Sequence, residues 1–197
     1  MKIRNFSSKN LEETNLIERG FVFGACEDGT VYYKKNRNQY TIEYEQKILD
    51  WLEIVQKALQ IVYNKSGKIR KTKAGYYRLY IYSKDIYLNI LETRKDYRNI
   101  LTKDKNFQIG FLQGIFDAEG TVHNKRYSIR IASKKLVIIE LIRDLLEKFN
   151  IKTGKIYHDK TAIILPLYGK ENLKKFNDVI GFRHKEKKAK LEKLISI

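Results

Sequence analysis

The sequence predicts an α+β protein built as a tandem, pseudo-twofold repeat of α-β-β-α-β-β-α units. Three observations carry that expectation. An apolar run that ends in an acid and a glycine occurs twice, as Gly20-Phe-Val-Phe-Gly-Ala-Cys-Glu-Asp-Gly-Thr-Val31 and as Gly110-Phe-Leu-Gln-Gly-Ile-Phe-Asp-Ala-Glu-Gly-Thr-Val122. Aligned on the acid, Asp28 falls on Glu119, an offset of 91 positions (119 − 28). The likeness continues downstream, where Lys65-Ser66-Gly67-Lys68-Ile69 resembles Lys152-Thr153-Gly154-Lys155-Ile156 and Ile42 to Lys47 matches Ile129 to Lys134. In both halves helix-period apolar stretches alternate with pairs of period-two stretches, which gives a repeat of about ninety residues.

In order, residues 1–9 are polar and read as a lead-in. The first helix is expected from an N-cap at Thr14 to Asp28, with Leu16, Ile17, Phe21, Val22, Ala25 and Cys26 at helical spacing. A strand pair over 30–46 turns at Lys34 to Asn38, and its return strand alternates Tyr40, Ile42 and Tyr44 with Thr41, Glu43 and Glu45. A helix over 48–63 follows, with Ile48, Leu52, Val55, Leu59 and Val62 on one stripe. The second pair turns on the basic run Lys68 to Gly75 and returns through Tyr76 to Ser83, and a short helix covers 84–92. The charged residues 93–105 read as a linker. This divides the chain into halves at 1–95 and 106–197, joined by 96–105.

The second half repeats the order. A helix capped by Asn106 runs over about 107–119, strands lie at 121–133 with a turn at Asn124-Lys125, and a helix spans 135–149. Two strands fall within 152–168, where Pro166 suggests an edge or a strand end. Helices at about 170–178 and from Lys185 close the chain.

The totals bound the partner. The chain has 197 residues, 43% of them hydrophobic, so it can bury a core as one large or two small domains. Its net charge of +17 must meet something anionic, with nucleic acid the first candidate and a membrane surface the second. The single cysteine, Cys26, excludes a disulfide framework or a zinc ribbon and reads as core filler. The N-terminus lacks the pattern of a signal peptide, and no apolar run reaches membrane-spanning length, so an intracellular protein, cytoplasmic or organellar, is expected.

The two acid-glycine ends carry the chemistry. Gly120 suits the left-handed position just past a helix end, which puts Glu119 at the last turn, where the negative end of the helix dipole disfavours another negative charge. A carboxylate is easier to explain there if a cation joins it, and two of them at equivalent repeat positions point to Asp28 and Glu119 as a pair. The small residues Gly20, Gly24, Gly110 and Gly114 would let two backbones approach closely. Asp117 reads as structural, Glu27 has no evident role, and the dispersed His123, His158 and His184 read as polar surface residues.

Leu112 to Gly120, with the order of elements that follows it, resembles the motif of the LAGLIDADG homing endonucleases. Gly169 to Phe176 and Ile180 to Lys185 are similar to that family's C-terminal wording. The first copy departs from the pattern: Phe23 stands where the second has Gly114, and its glycine comes one place later, at Gly24. The resemblance implies the compact single-chain type, a monomer whose two motif helices pack side by side while each half's four strands form a saddle that lies on double-stranded DNA. It also implies that Asp28 and Glu119 bind a divalent metal, magnesium or another such as manganese, and cut both strands of a long target site. Polar and basic residues around the metals are then expected at Gln46, with Ser133 its repeat partner, and at Lys84 and Lys170, each following the last strand of its half.

The expected DNA contacts are Lys34, Lys35, Arg37, Arg70, Lys71, Lys73, Arg78, Tyr80, Lys125, Arg126, Arg130, Lys155 and Lys160, on strands and turns rather than core faces. A two-stranded ribbon suits the major groove. The alternative is a nucleic-acid-binding protein on the same scaffold, an intron maturase or an inactive or nicking derivative, which the irregular first motif motivates. An anion-binding structural protein would leave the repeat unexplained.

Overall fold

The computed structural model describes residues 8–196; of the lead-in expected at 1–9, residues 1–7 lie outside them and 8–9 belong to the first helix. Helix α1 (Ser8–Ala25) is followed by β1 (Thr30–Lys34), β2 (Gln39–Gln46), α2 (Leu49–Tyr63), β3 (Lys68–Lys71), β4 (Tyr77–Tyr82) and α3 (Lys84–Lys95). The second half repeats this as α4 (Lys105–Glu119), β5 (Gly120–His123), β6 (Ser128–Ser133), α5 (Leu136–Lys148), β7 (Tyr157–His158), β8 (Ile163–Tyr168) and α6 (Lys170–Val179), with α7 (Lys185–Ser196) added. Each half is a four-stranded antiparallel sheet, in the orders β1-β2-β4-β3 and β5-β6-β8-β7. The α+β pseudo-twofold repeat is therefore what the chain adopts.

The register assigns every strand residue to a face, because opposed residues share a side and neighbours alternate. Ile42, Tyr44, Leu79 and Ile81 face the helices and are buried, as are Ile129, Ile131, Leu165 and Leu167 in the second sheet. Thr30, Tyr32, Lys34, Glu43, Glu45, Arg78 and Tyr80 occupy the open face of the first sheet, and Thr121, His123 and Arg130 that of the second. One contiguous apolar core joins both halves.

Helices α1 and α4 meet at the centre of that core, and glycine makes the contact possible. A methyl group added at Gly20 would press on the Phe107 carbonyl and sit 2.8 Å from the Phe111 amide nitrogen. At Gly114 it would press on the Phe21 carbonyl and sit 2.6 Å from the Ala25 nitrogen. Gly24 and Gly110 meet the Phe111 and Ile17 carbonyls in the same way, so each helix lays its backbone against the other.

Several boundaries differ from expectation. Helix α1 starts at Ser8, so Thr14 is inside it and not its N-cap, and it ends at Ala25 rather than reaching Asp28. The cap of α4 is Asp104, whose carboxylate accepts from the Asn106 amide, not Asn106 itself. Lys68–Lys71 is strand rather than turn, leaving 72–76 to reverse the chain. Within the expected linker, Tyr97–Thr102 forms a 3-10 helix that buries Tyr97 and Ile100, because the halves need apolar cover at their junction. Gly120 is extended (φ −74°), so it serves not through a left-handed conformation but because a side chain would meet Phe116. Pro166 lies inside the inner strand β8, where its carbonyl accepts from Gly154 on the side on which β7 is only two residues long. A proline there gives up no donor that a full-length neighbouring strand would need.

Candidate functional site

Both motif-helix ends sit at the junction of the two halves. The helices superpose with an offset of 90, pairing Gly20 with Gly110 and Gly24 with Gly114, whereas the acids Asp28 and Glu119 pair at 91. The extra residue of the second copy is absorbed by tightening the first. There Cys26 and Glu27 donate to carbonyls three residues back, those of Phe23 (3.2 Å) and Gly24 (3.2 Å), and Gly29 donates to Cys26 (2.9 Å). Such bonds wind the chain more tightly than an α-helix. Asp28 thus ends a turn while Glu119 ends a helix, and the two carboxylates still lie close enough to repel each other.

The neighbouring acids are consumed by structural contacts. Glu27 accepts from Tyr97 (2.9 Å) and from the Arg94 guanidinium (3.4 Å) and pairs with Lys135 across the halves (3.5 Å). Arg94 also caps the turn, donating to the Cys26 (2.5 Å) and Gly29 (3.2 Å) carbonyls. Asp117 is buried and accepts from the Arg183 and His184 backbone amides, which fixes the chain between α6 and α7. Burial nevertheless pushes its carboxyl up to about 7, against those hydrogen bonds and Lys187. His184 is itself buried, not a surface residue as expected.

Asp28 and Glu119 are left free. Asp28 accepts one hydrogen bond, from Gln46 Nε2 (3.2 Å), and withdrawal from water raises its carboxyl above the ordinary range against that bond. Glu119 receives no hydrogen bond from the described residues, and burial, then the Asp28 charge, push it up to about 6. A half-buried carboxylate left without a donor is costly unless something else satisfies it. Glu119, Ser133, Lys134 and Lys135 line a cleft of about 350 Å³ that also reaches Glu27.

The structure brings Gln46 to Asp28 and Ser133 to the same cleft as Glu119, but not Lys84 or Lys170. Lys84 follows Tyr82, which pairs with Thr41, whereas Gln46 pairs with Tyr77. Five residues of strand, roughly 17 Å, separate those ends of the sheet. Lys84 instead lies over the Tyr40 ring (5.9 Å). Lys170 is displaced in the same way, since Tyr168 pairs with Ser128 and Ser133 with Ile163. A position just after the last strand is therefore the wrong end of each sheet for the acids. Two other cations were missed: Lys134, which lines the same cleft as Glu119, and Lys187 of α7, which acts on both acids and whose Nζ donates to the Phe116 (3.3 Å), Asp117 (2.5 Å) and Ala118 (3.3 Å) carbonyls. For Lys134 the signal was its place directly after Ser133, matching Lys47 after Gln46. For Lys187 no local signal exists, because its position is fixed only by packing.

The expected DNA contacts separate by face. Lys34, Arg70, Arg78, Tyr80 and Arg130 lie on the open faces, Lys35, Arg37, Lys73, Arg126 and Lys160 on turns between strands, and Lys155 just before β7. Lys125 belongs to the turn Asn124–Arg126, and its side chain lies outside what the structure describes. Lys71 is a correction, for its register with Tyr77 puts it on the helix-packed face, over the Tyr77 ring (5.6 Å). Arg78 is held by Glu43 (3.3 Å) and by Glu45, so its charge is already matched. His123, Arg126, Arg130 and Lys190 surround a basic recess, where loss of water and the two arginines lower the His123 pKa.

No group of three or more His, Cys, Asp or Glu able to hold a metal occurs among the described residues. Two carboxylates offer oxygen alone, which suits a hard divalent cation that takes its remaining ligands from water and substrate. No helix among them is long and apolar enough to cross a membrane.

Two packed motif helices ending in paired acids between two open four-stranded sheets define a two-motif LAGLIDADG chain. The LAGLIDADG-like domain profile matches residues 20–94 and 106–181, and the chain belongs to that family. It is 28% identical over 193 residues to homing endonuclease I-ApeI of Aeropyrum pernix, covering 89% of this chain and 86% of that protein. Its fold matches that of I-DmoI in complex with DNA and Ca (TM-score 0.70, 23% identity, 92% of this chain and 99% of that one). It also matches full-length DUF199/WhiA from Thermatoga maritima (TM-score 0.61, 15% identity, 94% of this chain and 65% of that one).

Proposed function

We propose that this protein is a site-specific DNA endonuclease that makes a double-strand break in a long target by divalent-metal-dependent phosphodiester hydrolysis. The observation that carries this reading is the contrast between acids: Glu27 and Asp117 are tied up in structural contacts, while Asp28 and Glu119, at equivalent repeat positions, are not. The homing endonuclease relative and the DNA complexes of I-DmoI support it.

Asp28 and Glu119 would hold the cation, magnesium or manganese, which when bound supplies Lewis-acid charge relief and water activation. The chain's own residues do the rest. Gln46 fixes the Asp28 carboxylate by donating to one of its oxygens, which leaves the other oxygen to a ligand. The open sheet faces and their turns carry the cations that place a duplex, mostly through phosphate, which positions without specifying. On the first sheet Arg78 holds Glu43 and Glu45 on the open face, where a carboxylate accepts from cytosine N4 and reads sequence. The expected monomer follows from having both motifs in one chain.

A randomised duplex library, incubated with and without magnesium and sequenced at its ends, tests the reading. Discrete, metal-dependent, staggered double-strand ends that vanish in Glu119→Gln support it, whereas double-strand cutting retained in that variant overturns it. A second reading, a single-strand nickase, rests on the first motif, where Asp28 ends a tightened turn instead of a helix; it predicts ends on one strand only.

A further inference from the structure

Lys187 stands apart from the other lysines of α7. Lys185, Lys188, Lys190 and Lys193 are exposed, whereas the Lys187 side chain turns inward beneath the end of α4. Its Nζ donates to three successive carbonyls there, and the carboxylates of Asp117, Glu119 and Asp28 all act on it. A cation at a helix C-terminus gains only a modest stabilisation, which an exposed side chain already achieves. Withdrawing an ammonium from water costs more than that unless charge opposes it. Helix capping alone therefore does not account for the burial; burial pushes the ammonium down to about 8, and the three acids offset part of that loss of water. Glu119, with no hydrogen-bond donor among the described residues, has Lys187 as its opposing charge.

We propose that Lys187 is an internal counterion of the carboxylate centre, holding Asp28 and Glu119 together without metal and opposing cation binding until DNA phosphate adds compensating negative charge. Metal and DNA then bind cooperatively, and the free protein binds metal weakly. The inference rests on the reading of Asp28 and Glu119 as metal ligands. Lys187 acts through those carboxylates and is a positioning residue.

The test is Mn2+ binding to the full chain without DNA, read from the electron paramagnetic resonance of free Mn2+, and repeated with a random-sequence duplex present. Lys187→Met removes both charge and cap. Lys187→Gln removes the charge but keeps an amide that can donate to the carbonyls, so it covers the case in which the first variant does not fold. Both are expected to bind Mn2+ at least about tenfold more tightly than the parent without DNA, and to gain less from added duplex. Lys187→Arg is expected to restore parental behaviour. A role confined to capping predicts the opposite sign, weaker Mn2+ binding as the helix end loosens. Unchanged or weaker binding in a folded Lys187→Gln protein overturns the proposal. If the double variant Asp28→Asn, Glu119→Gln binds Mn2+ as well as the parent, the carboxylate-centre reading itself fails.

Discussion

On the proposed reading, Glu119 trades stability for function. Its carboxyl rises to about 6 from an ordinary 4.5 because burial, then Asp28, disfavour its charge. The folded protein therefore holds that proton more tightly than the unfolded chain. The resulting stability is fully present below about 4.5 and is lost as pH rises through about 6. Replacing Glu119 by Gln should accordingly raise the melting temperature at pH 8 by about 2–4 °C, a shift of about 1 kcal/mol after discounting for the open side of the group, with no gain at pH 4.5. On the proposed reading the same change should lower double-strand cleavage by about a hundredfold or more, since it would remove a ligand of the cation that stabilises charge in the transition state. Cleavage by the parent should fall as pH drops below about 6, checked by a pH–rate profile. Asp28→Asn should convert double-strand breaks into nicks on one strand, read from nicked and linear plasmid products. Equal loss on both strands would show that the acids share one centre rather than serving a strand each.

At the scale of elements, the α1–α4 contact is the least tolerant part of the molecule. Gly24→Ala or Gly114→Ala drives a methyl into the backbone of the facing helix, which cannot move aside as a side chain tip would. Each should cost about 3 kcal/mol or more, lowering the melting temperature by roughly 6–12 °C in a thermal scan. Gly75, at φ 85° in the β3–β4 turn with open space around it, should tolerate added bulk better but resists it for conformational reasons. The elements themselves were legible in the sequence: α2, β2, β4 and α6 fall within about a residue or two of the periodic patterns that announced them. Thr14 misled because a threonine within a helix has the same identity as one at its start, and the true first turn is polar. Pro166 misled because the rule against proline in an inner strand assumes a full-length neighbour, and β7 is not one.

At the scale of the whole molecule, charge and face would decide how a duplex is held on the proposed reading. Of the expected contacts, Lys34, Arg70, Arg78, Tyr80 and Arg130 lie on the open sheet faces and Lys35, Arg37, Lys73, Arg126 and Lys160 on the turns around them, and Arg78 is already neutralised by Glu43 and Glu45. If about eight phosphates are contacted, log affinity for duplex should fall against log salt with a slope of about −7, measured by fluorescence anisotropy. Arg130→Ala should flatten that slope by about one, and Lys71→Ala, on the helix-packed face, should leave it unchanged. A flat salt response would remove phosphate contact as the basis of binding.

The sequence alone determined the repeat, the periodic elements, the four helix-contact glycines and the two terminal acids, because each of these is written in local spacing or in the match between the halves. Tertiary structure decided which acids are free and which cations reach them. Glu27 and Asp28 are neighbours in the chain, yet Arg94, Tyr97 and Lys135 claim the first and leave the second with Gln46. Lys84 and Lys170 follow strands that end far from the acids, while Lys187, 159 positions from Asp28 (187 − 28), reaches both. Spacing along one strand or helix is short-range information. The partner of a charge depends on which distant segments the core brings against it, and only the packed molecule specifies that.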